Sequence, residues 1–236
     1  PQKDALTKEE TLELVKQKGW AKMKLSQFIG MLWNLFKLKS VKGTYVHEVA
    51  QEEIAALKQA SGTGTHAILC AIAAKQLFGR LNQPTFNAII VADLRGHLFG
   101  VSPNLMGNLS QPFITRQPCS TDMDTASLAQ TLQKQMDEVL KSDTLDQNLR
   151  LSLCASHYGL PYYLFNATEM FNPRPTNLYV NNQLKLRACE LDFGSGKPLY
   201  AFPNDLTDMI KFWQPVADGP VQIIYWGNAA KVMNSL

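Results

Sequence analysis

The chain has 236 residues, of which 45% are hydrophobic and 18% are charged, and its formal net charge is only +3. This composition is typical of a folded globular chain, longer than one average domain and shorter than two, and it excludes a disordered or fibrous protein. The small and dispersed excess of positive charge argues against a nucleic-acid-binding protein, and no apolar run approaches the ~20 residues needed to span a bilayer.

Two helices are predicted in the first forty residues. Thr7 and Glu10 have the spacing of a capping box, which predicts a helix from there to about Lys18. The next helix is flanked by lysines and has one apolar face, which comprises Leu25, Phe28, Ile29, Leu32, Trp33 and Phe36. Docking on a protein core, which can lie partly outside this chain, is the favoured interpretation of that face, and a membrane surface is the alternative.

From Gly43 onwards, strands alternate with helices. Residues 44–49 alternate like a strand, and residues 51–60 are predicted to be helical. Thr65 can cap the next helix, which has no charged side chain until Lys75 and is therefore expected to be buried almost all round. Further strands are predicted at 87–94, 176–180, 184–191, 199–202 and 221–226. Further helices are predicted at 146–157, at 229–236 and from a cap at Asp124 or Thr125 to about Leu140. This interleaving predicts an α/β fold with a mixed sheet.

The four cysteines, Cys70, Cys119, Cys154 and Cys189, are widely spaced and form no Cys-x-x-Cys pair. Their spacing predicts buried free thiols in a reducing compartment, and we expect the cytoplasm. A zinc site would require closer cysteine pairs together with histidines, so no metal is expected.

One heptapeptide carries most of the functional information. It comprises Asp192, Phe193, Gly194, Ser195, Gly196, Lys197 and Pro198. Its two glycines permit positive φ, and its proline restricts the preceding lysine to an extended conformation, so a tight loop between two strands is predicted. The glycine spacing excludes a dinucleotide-binding fingerprint and a Walker loop, and the other kinase motifs are missing.

The heptapeptide resembles the Asp-Phe-Gly-Trp-Gly-Lys/Arg-Pro motif of the BAHD family of coenzyme-A-dependent acyltransferases. Further segments resemble family segments in the same order, namely 52–58 (Ile-x-x-Leu-Lys), 64–71 (Ser-Thr-x-x-x-Leu-x-Ala), 91–95 (a strand ending in Arg) and 107–108 (Gly-Asn). Two departures indicate a divergent member: Ser195 replaces the family's Trp, and Asn-Asn-Gln at 181–183 stands where Thr-Ser-Trp is usual.

The resemblance implies the C-terminal half of a chloramphenicol-acetyltransferase-like fold, in which a mixed sheet and helices form a two-layer sandwich. Residues 43–236 would form this half-domain, and residues 1–42 would belong to the helical crossover segment. The implied protein is an enzyme that moves an acyl group from acyl-coenzyme A, its co-substrate, to a hydroxyl or amine of a small-molecule acceptor. Neither a tightly bound cofactor nor a nucleic acid is expected.

In this family the catalytic base is the histidine of a His-x-x-x-Asp motif in the N-terminal half. None of the four histidines, His47, His66, His97 and His157, is followed by Asp at the fourth position. The resemblance therefore implies that an N-terminal half of the same enzyme, cleaved from this chain or separate, supplies the base, and no catalytic residue is expected here. The alternative is a non-catalytic module of the same fold that binds a protein or acyl-coenzyme A.

Family positions also imply roles for individual residues. Thr63, Thr65 and Asn108 are the candidates for lining the acyl-coenzyme A tunnel. Asn181 occupies a slot near the reacting carbonyl, where an amide can donate a hydrogen bond. His66 opens a helix that adjoins the tunnel, although a core position is the favoured interpretation for it.

The motif aspartate, Asp192, would form a structural ion pair with Arg95, the residue that ends the 91–95 strand. Four other basic residues can meet phosphates, although solvated charges are the favoured interpretation for them; these are Lys75, Arg80, Lys185 and Arg187.

Overall fold

The structure is a computed structural model that describes residues 6–17, 29, 33, 43–93, 110–115, 118–158, 177–184, 194, 196, 209–216 and 219–235. The chain divides into two compact units. Unit 1 comprises Pro1–Lys37, Ala92–Gln111 and Val139–Arg174, and unit 2 comprises Leu38–Val91, Pro112–Glu138 and Pro175–Leu236. The division at residue 43 inferred from the sequence concerns the half-domain of a longer protein and stays a prediction.

The described elements follow one another as helices and strands in alternation. In chain order they are α1 (Lys8–Gln17), β1 (Thr44–Val49), α2 (Gln51–Ser61), α3 (Thr65–Arg80), β2 (Thr85–Asp93), β3 (Ser110–Ile114), β4 (Cys119–Ser120), α4 (Thr125–Leu140), α5 (Thr144–His157), β5 (Asn177–Asn182), β6 (Ile210–Trp213), β7 (Val221–Trp226) and α6 (Gly227–Asn234). The sequence pattern missed β3, β4 and β6. The predicted strand at 184–191 is described only at Leu184, which lies in a 3₁₀ turn, and the predicted strand at 199–202 lies outside the described residues.

In unit 1, the predicted capping box is confirmed. The backbone N–H of Thr7 donates to Oε2 of Glu10 at 2.7 Å, and the N–H of Glu10 donates to Oγ1 of Thr7 at 3.2 Å. The α1 helix packs against α5, where Val15 and Leu151 are buried together and Leu6 and Leu14 pack beside them. The capping box therefore fixes the start of a helix whose apolar side is held by tertiary contacts.

The sheet is mixed, as predicted. Its strand order is β1-β7-β6-β5-β2-β3, and β4 pairs with β2 beside this path. The strands β2, β5 and β6 are parallel neighbours, whereas β7 is antiparallel to both β6 and β1. Because parallel strands end at the same edge of a sheet, the carboxyl ends of β5 and β6 lie side by side.

The helix α3 is buried almost all round, as its uncharged sequence predicts. Every residue from 67 to 74 is buried, as are Leu77 and Phe78. The ring of Phe78 stacks on that of Phe86 with the centroids 4.9 Å apart, and the hydroxyl of Tyr225 on β7 donates to Oε1 of Gln76 at 2.7 Å. These contacts place α3 as a helical layer against one face of the sheet.

Two basic side chains of α3 make structural contacts. Nζ of Lys75 donates to the carbonyls of Thr121 and Met123 at 3.1 and 2.7 Å. The guanidinium of Arg80 donates to the carbonyl of Met233 at 2.8 Å and lies 5.9 Å from the centroid of the Tyr45 ring. Neither is therefore simply a solvated charge, which corrects the expectation from the sequence. Lys185 and Arg187 lie outside the described residues.

Three cysteines are free thiols. Cys70 and Cys119 are buried, as predicted, and Cys154 is half-buried; Cys189 lies outside the described residues. Burial, with a smaller contribution from Cys119, raises the pKa of the Cys70 thiol well above its usual range. Across the part of the chain that the structure describes, no helix is long and apolar enough to cross a membrane.

Candidate functional site

Residues 61–66, which comprise the end of α2, the loop 62–64 and the start of α3, are held in place from both sides, and we call them the α2–α3 corner. Gly62 ends α2 in the left-handed conformation, at φ 67°, where its N–H donates to a carbonyl of the last turn. From α4, Nε2 of Gln130 donates to the carbonyl of Ser61 at 2.9 Å, and Oε1 of Gln133 accepts from a second backbone N–H of the corner at 3.4 Å. The corner is thus a rigid support for the side chains that it carries.

The hydroxyl of Thr63 is oriented by its neighbour Ser61. Oγ of Ser61 donates to the carbonyl of Leu57 at 2.6 Å. A serine hydroxyl has one proton, so Ser61 has none left to donate to Thr63. In the 2.8 Å contact between the two hydroxyls, Oγ1 of Thr63 must therefore be the donor. Since its own proton is also used, the Thr63 hydroxyl can meet a ligand only as a hydrogen-bond acceptor.

Thr65 is the first residue of α3, and the N-cap is Gly64, with no side-chain capping bond. The prediction that Thr65 caps the helix is therefore wrong. Thr65 is itself the first helical residue, so the cap position falls on Gly64. The first N–H groups of a helix lack intrahelical acceptors and form the positive end of its dipole. The corner consequently presents backbone donors next to the Thr65 side chain.

His66 contacts two strands of the sheet, and we call His66, Asn182 and Phe212 the His66 cluster. Nδ2 of Asn182 lies 2.8 Å from Nδ1 of His66, and the ring of Phe212 meets the imidazole edge-on with the centroids 5.7 Å apart. Asn182 and Phe212 are register partners on β5 and β6. The cluster therefore joins the first turn of α3 to the carboxyl end of β5.

The hydrogen bonds of the cluster define which tautomer His66 adopts. Oδ1 of Asn182 accepts from the backbone N–H of Leu184 at 3.0 Å, which turns the NH₂ group of the amide toward the imidazole. Nδ1 of His66 is therefore an acceptor, and the proton of the neutral ring sits on Nε2. That nitrogen faces the sulfur of Cys70 at 3.7 Å.

The proximity of Cys70 to His66 does not make a nucleophile and base pair. A nucleophilic cysteine must be a thiolate, and burial holds the pKa of the Cys70 thiol far above its usual range. The side chain has no exposed surface. Burial thus favours the neutral thiol at this pair, and the contact with the sheet is made by His66, through Asn182 and Phe212.

Asn181 and Asn182 lie on opposite faces of the sheet because successive side chains of a strand alternate. Asn182 faces α3 and meets His66, whereas Asn181 is the register partner of Lys211 on β6. The structure therefore joins His66 to Asn182, a residue that the sequence did not single out. The residues of β5 do not alternate in burial, so no sequence pattern indicated this contact. The role of Asn181 at the reacting carbonyl stays a prediction.

The predicted heptapeptide loop is described only at its two glycines. Gly194 and Gly196 have φ of 97° and 95°, the region that glycine alone adopts readily, as the loop interpretation requires. The other residues of that prediction and of its ion pair lie outside the described residues; they are Arg95, Asp192, Phe193, Ser195, Lys197 and Pro198. Asn108 also lies outside them, so its contact with acyl-coenzyme A stays a prediction.

No protein-family model and no curated protein matches this chain. Solved structures do match it. The structure of F. graminearum TRI101 with coenzyme A and deoxynivalenol has a TM-score of 0.62 and 18% identity, over 80% of this chain and 46% of that one. The structure of F. sporotrichioides TRI101 with coenzyme A and T-2 has a TM-score of 0.58 and 19% identity, over 80% of this chain and 48% of that one. The structure of vinorine synthase has a TM-score of 0.53 and 16% identity, over 80% of this chain and 45% of that one.

These solved structures are BAHD acyltransferases, the family that the sequence motifs resemble. At this level of identity the likeness shows the fold, and the predicted fold class, a mixed sheet with helices of the chloramphenicol-acetyltransferase-like type, is confirmed. The chain spans less than half the length of each of them. It therefore has the fold of about half of a coenzyme-A-dependent BAHD acyltransferase.

Proposed function

We propose that this chain is the C-terminal half of an enzyme that transfers an acyl group from acyl-coenzyme A to a hydroxyl or amine of a small-molecule acceptor. The observation that carries the proposal is the structural likeness to TRI101, which was solved with coenzyme A and with deoxynivalenol or T-2. The ordered motifs between residues 52 and 198 support the same family independently of the fold.

The α2–α3 corner is the proposed binding site for part of acyl-coenzyme A. Ligands of α/β sheets bind outside the carboxyl ends of the parallel strands, where the His66 cluster connects β5 to this corner. Thr63, as an acceptor, suits an amide N–H of the co-substrate. The N–H groups beside Thr65 suit its carbonyl or phosphate oxygens. Asn108 is proposed to line the same tunnel.

Acyl transfer requires a base that takes the acceptor's proton while the new ester or amide bond forms. The C–S bond of the thioester then breaks, and coenzyme A leaves as the thiol. His66 is poorly placed for this role, because its Nδ1 is occupied by Asn182 and its protonated Nε2 faces a buried thiol. We assign the base to the His-x-x-x-Asp motif of an N-terminal half, and Asn181 to hydrogen bonding near the oxyanion.

The titration of coenzyme A into the chain tests the proposed site. We expect binding that Thr63→Val and Thr65→Val together weaken about thirtyfold, because each replaced hydroxyl contributes about 1 kcal/mol and the two together about 2 kcal/mol. Thr44→Val, an exposed threonine of β1, is the matched control. The measurement is isothermal calorimetry, on this chain alone and after co-expression with the gene segment that precedes it. Absence of binding in both samples would contradict the proposal.

A second function is favoured by one observation, the absence of a His-x-x-x-Asp motif at any of the four histidines. The chain would then be a non-catalytic module of the same fold that binds acyl-coenzyme A or a protein. Release of free coenzyme A thiol from acyl-coenzyme A distinguishes the two. Turnover by the co-expressed pair supports the enzyme, whereas coenzyme A binding without turnover in either sample supports the module.

The remaining motif residues and the compartment are proposed on the same basis. Asp192 and Arg95 are assigned to a structural ion pair that fixes the heptapeptide loop, so Arg95→Ala should lower the yield of folded protein. Unchanged yield and thermal unfolding would contradict this pair. A cytoplasmic location is proposed because Cys70 and Cys119 are free buried thiols.

A further inference from the structure

A cavity of about 440 Å³ lies beside the contact between α1 and α5, within unit 1. Val15 of α1 packs on Leu151 of α5. The hydroxyl of Tyr158, just after α5, donates to the carbonyl of Leu6, just before α1, at 2.8 Å, so the two helices run antiparallel. Seven described residues line the cavity, namely Leu6, Leu14, Gln147, Arg150, Leu151, Leu153 and Cys154. Small-molecule sites have volumes of about 300–1,000 Å³, so the cavity is large enough for a ligand.

The described lining of the cavity is polar toward one end and apolar toward the other. Residues three or four apart share a face of a helix, so Gln147, Arg150 and Cys154 follow one another along the cavity. At 1.5 Å per residue, the lined part of α5 is about 10 Å long. The two polar side chains lie at its start, whereas Leu153 and Cys154 lie at its end, toward Leu6. A ligand with one polar end and an aliphatic tail matches this arrangement.

The charge at the polar end indicates which polar group the ligand carries. Arg150 is the one charged residue among the lining residues that the structure describes, and its guanidinium stays protonated in proteins. A guanidinium has five N–H donors, so Arg150 can bind a carboxylate alongside the other contact that it makes. The leucines and Cys154 provide apolar surface on which an aliphatic tail leaves water. They offer no partners for the hydroxyls of a sugar.

We propose that the cavity between α1 and α5 binds a medium-chain aliphatic carboxylate. The carboxylate lies at Arg150, and the chain extends between the leucines of the two helices toward Cys154. The proposal does not depend on acyl transfer, because the cavity belongs to unit 1 and the α2–α3 corner belongs to unit 2.

Protection of the Cys154 thiol tests whether a carboxylate enters the cavity. Cys154 is half-buried, whereas Cys70 and Cys119 are buried. We expect decanoate, at about ten times its Kd, to slow the alkylation of Cys154 by iodoacetamide about tenfold, because the ligand covers the thiol. Peptide mass spectrometry measures the rate at this residue. Each CH₂ added between hexanoate and decanoate should tighten binding about three- to fourfold.

Calorimetry with decanoate and with 1-decanol, which lacks the charge, separates the two ends of the site. Arg150→Gln should weaken decanoate binding at least about tenfold and leave 1-decanol binding unchanged. Lys141→Gln, which removes an exposed cation of the same unit, is the matched control and should bind both ligands like the wild type. Cys154→Phe fills the apolar end and should abolish binding of both. Val216→Phe adds the same ring to an exposed position of unit 2 and should not.

The Arg150 variant changes an exposed side chain, so the test does not depend on the folding of Cys154→Phe. Absence of decanoate binding would overturn the proposal, as would equal affinity of the wild type for decanoate and 1-decanol. Unchanged decanoate binding by folded Cys154→Phe would place the ligand elsewhere and would also overturn it. Coenzyme A should not displace decanoate. Displacement would contradict the proposal, because decanoate would then occupy the proposed acyl-coenzyme A tunnel.

Discussion

Apolar residues in two regions of this chain have opposite environments. The α3 helix is uncharged over most of its length and is buried on nearly every side, whereas Ile29 and Trp33 are exposed. In the sequence, Ile29 and Trp33 belong to a run whose apolar residues repeat on one face of a predicted helix flanked by lysines. The comparison indicates that the placement of charged residues around an apolar run, rather than its apolar content alone, separates a core helix from a surface segment.

Truncation of one leucine in α3 should give the largest effect. Leu69→Ala removes a side chain with no exposed surface, and we expect a loss of about 2–5 kcal/mol in the free energy of unfolding, because the cavity cannot collapse completely. The matched change Ile29→Ala should stay within about 0.5 kcal/mol of the wild type. Denaturant unfolding followed by circular dichroism measures both. Equal losses in the two variants would remove the distinction between the segments.

The contact between α3 and β7 should have a smaller and pH-dependent effect. Tyr225→Phe removes the hydroxyl that donates to Gln76, and we expect a loss of about 1 kcal/mol at neutral pH.

Burial raises the pKa of Tyr225 above its usual range, so the folded state favours the neutral phenol. Its contribution to stability is present below about pH 10, the pKa of an unfolded tyrosine, and decreases as the pH rises beyond that value. Unfolding measured against pH should show this alkaline loss in the wild type but less of it in Tyr225→Phe. Identical profiles would place the titrating group elsewhere.

The smallest effect is expected at the start of α1, where the helix end is exposed. Thr7→Ala removes one side of the capping box and should cost about 0.5–1 kcal/mol, while Thr7→Ser should retain most of the stability. The hydrogen bond from the Thr7 N–H lowers the pKa of the Glu10 carboxyl. The stability that the ionised Glu10 carboxylate gives the helix is therefore lost as the pH falls through the acid range. Amide hydrogen exchange of α1 measures the effect of the Thr7 variants and the effect of acid pH. Unchanged protection in Thr7→Ala would contradict the role of the cap.

Elements that depend on local chemistry were predictable from the sequence. The capping box of α1 and the uncharged run of α3 specify helices through neighbours within a few residues. The strand β6 was missed because it has only four residues, Ile-Lys-Phe-Trp, which are too few to establish a strand pattern, and its Lys211 is buried although lysine usually marks an exposed position. The strand β3 contains Pro112, which normally argues against a strand. Both depend on their neighbours in the sheet.

The candidate site was predictable in its location but not in its contacts. The threonines of the α2–α3 corner were named from the sequence. The acceptor role of Thr63 follows from the hydrogen bond that Ser61 donates to Leu57, and no sequence pattern indicates that bond. Asn182 was missed because its contact with His66 requires the register of β5 beside β6. Distant pairing of this kind is set by packing rather than by local propensity.

The pairing of β1 with β7 has a consequence for synthesis of the chain on the ribosome. Thr44 pairs with Trp226, and Val49 pairs with Val221, so the first described strand of the sheet pairs with the last described one. A domain whose contacts join such distant residues folds slowly, and β1 cannot find its partner before residues 221–226 have emerged from the ribosome. The apolar residues that β7 covers therefore stay exposed while the roughly 170 residues between these two strands are synthesised, when the nascent chain is most dependent on chaperones.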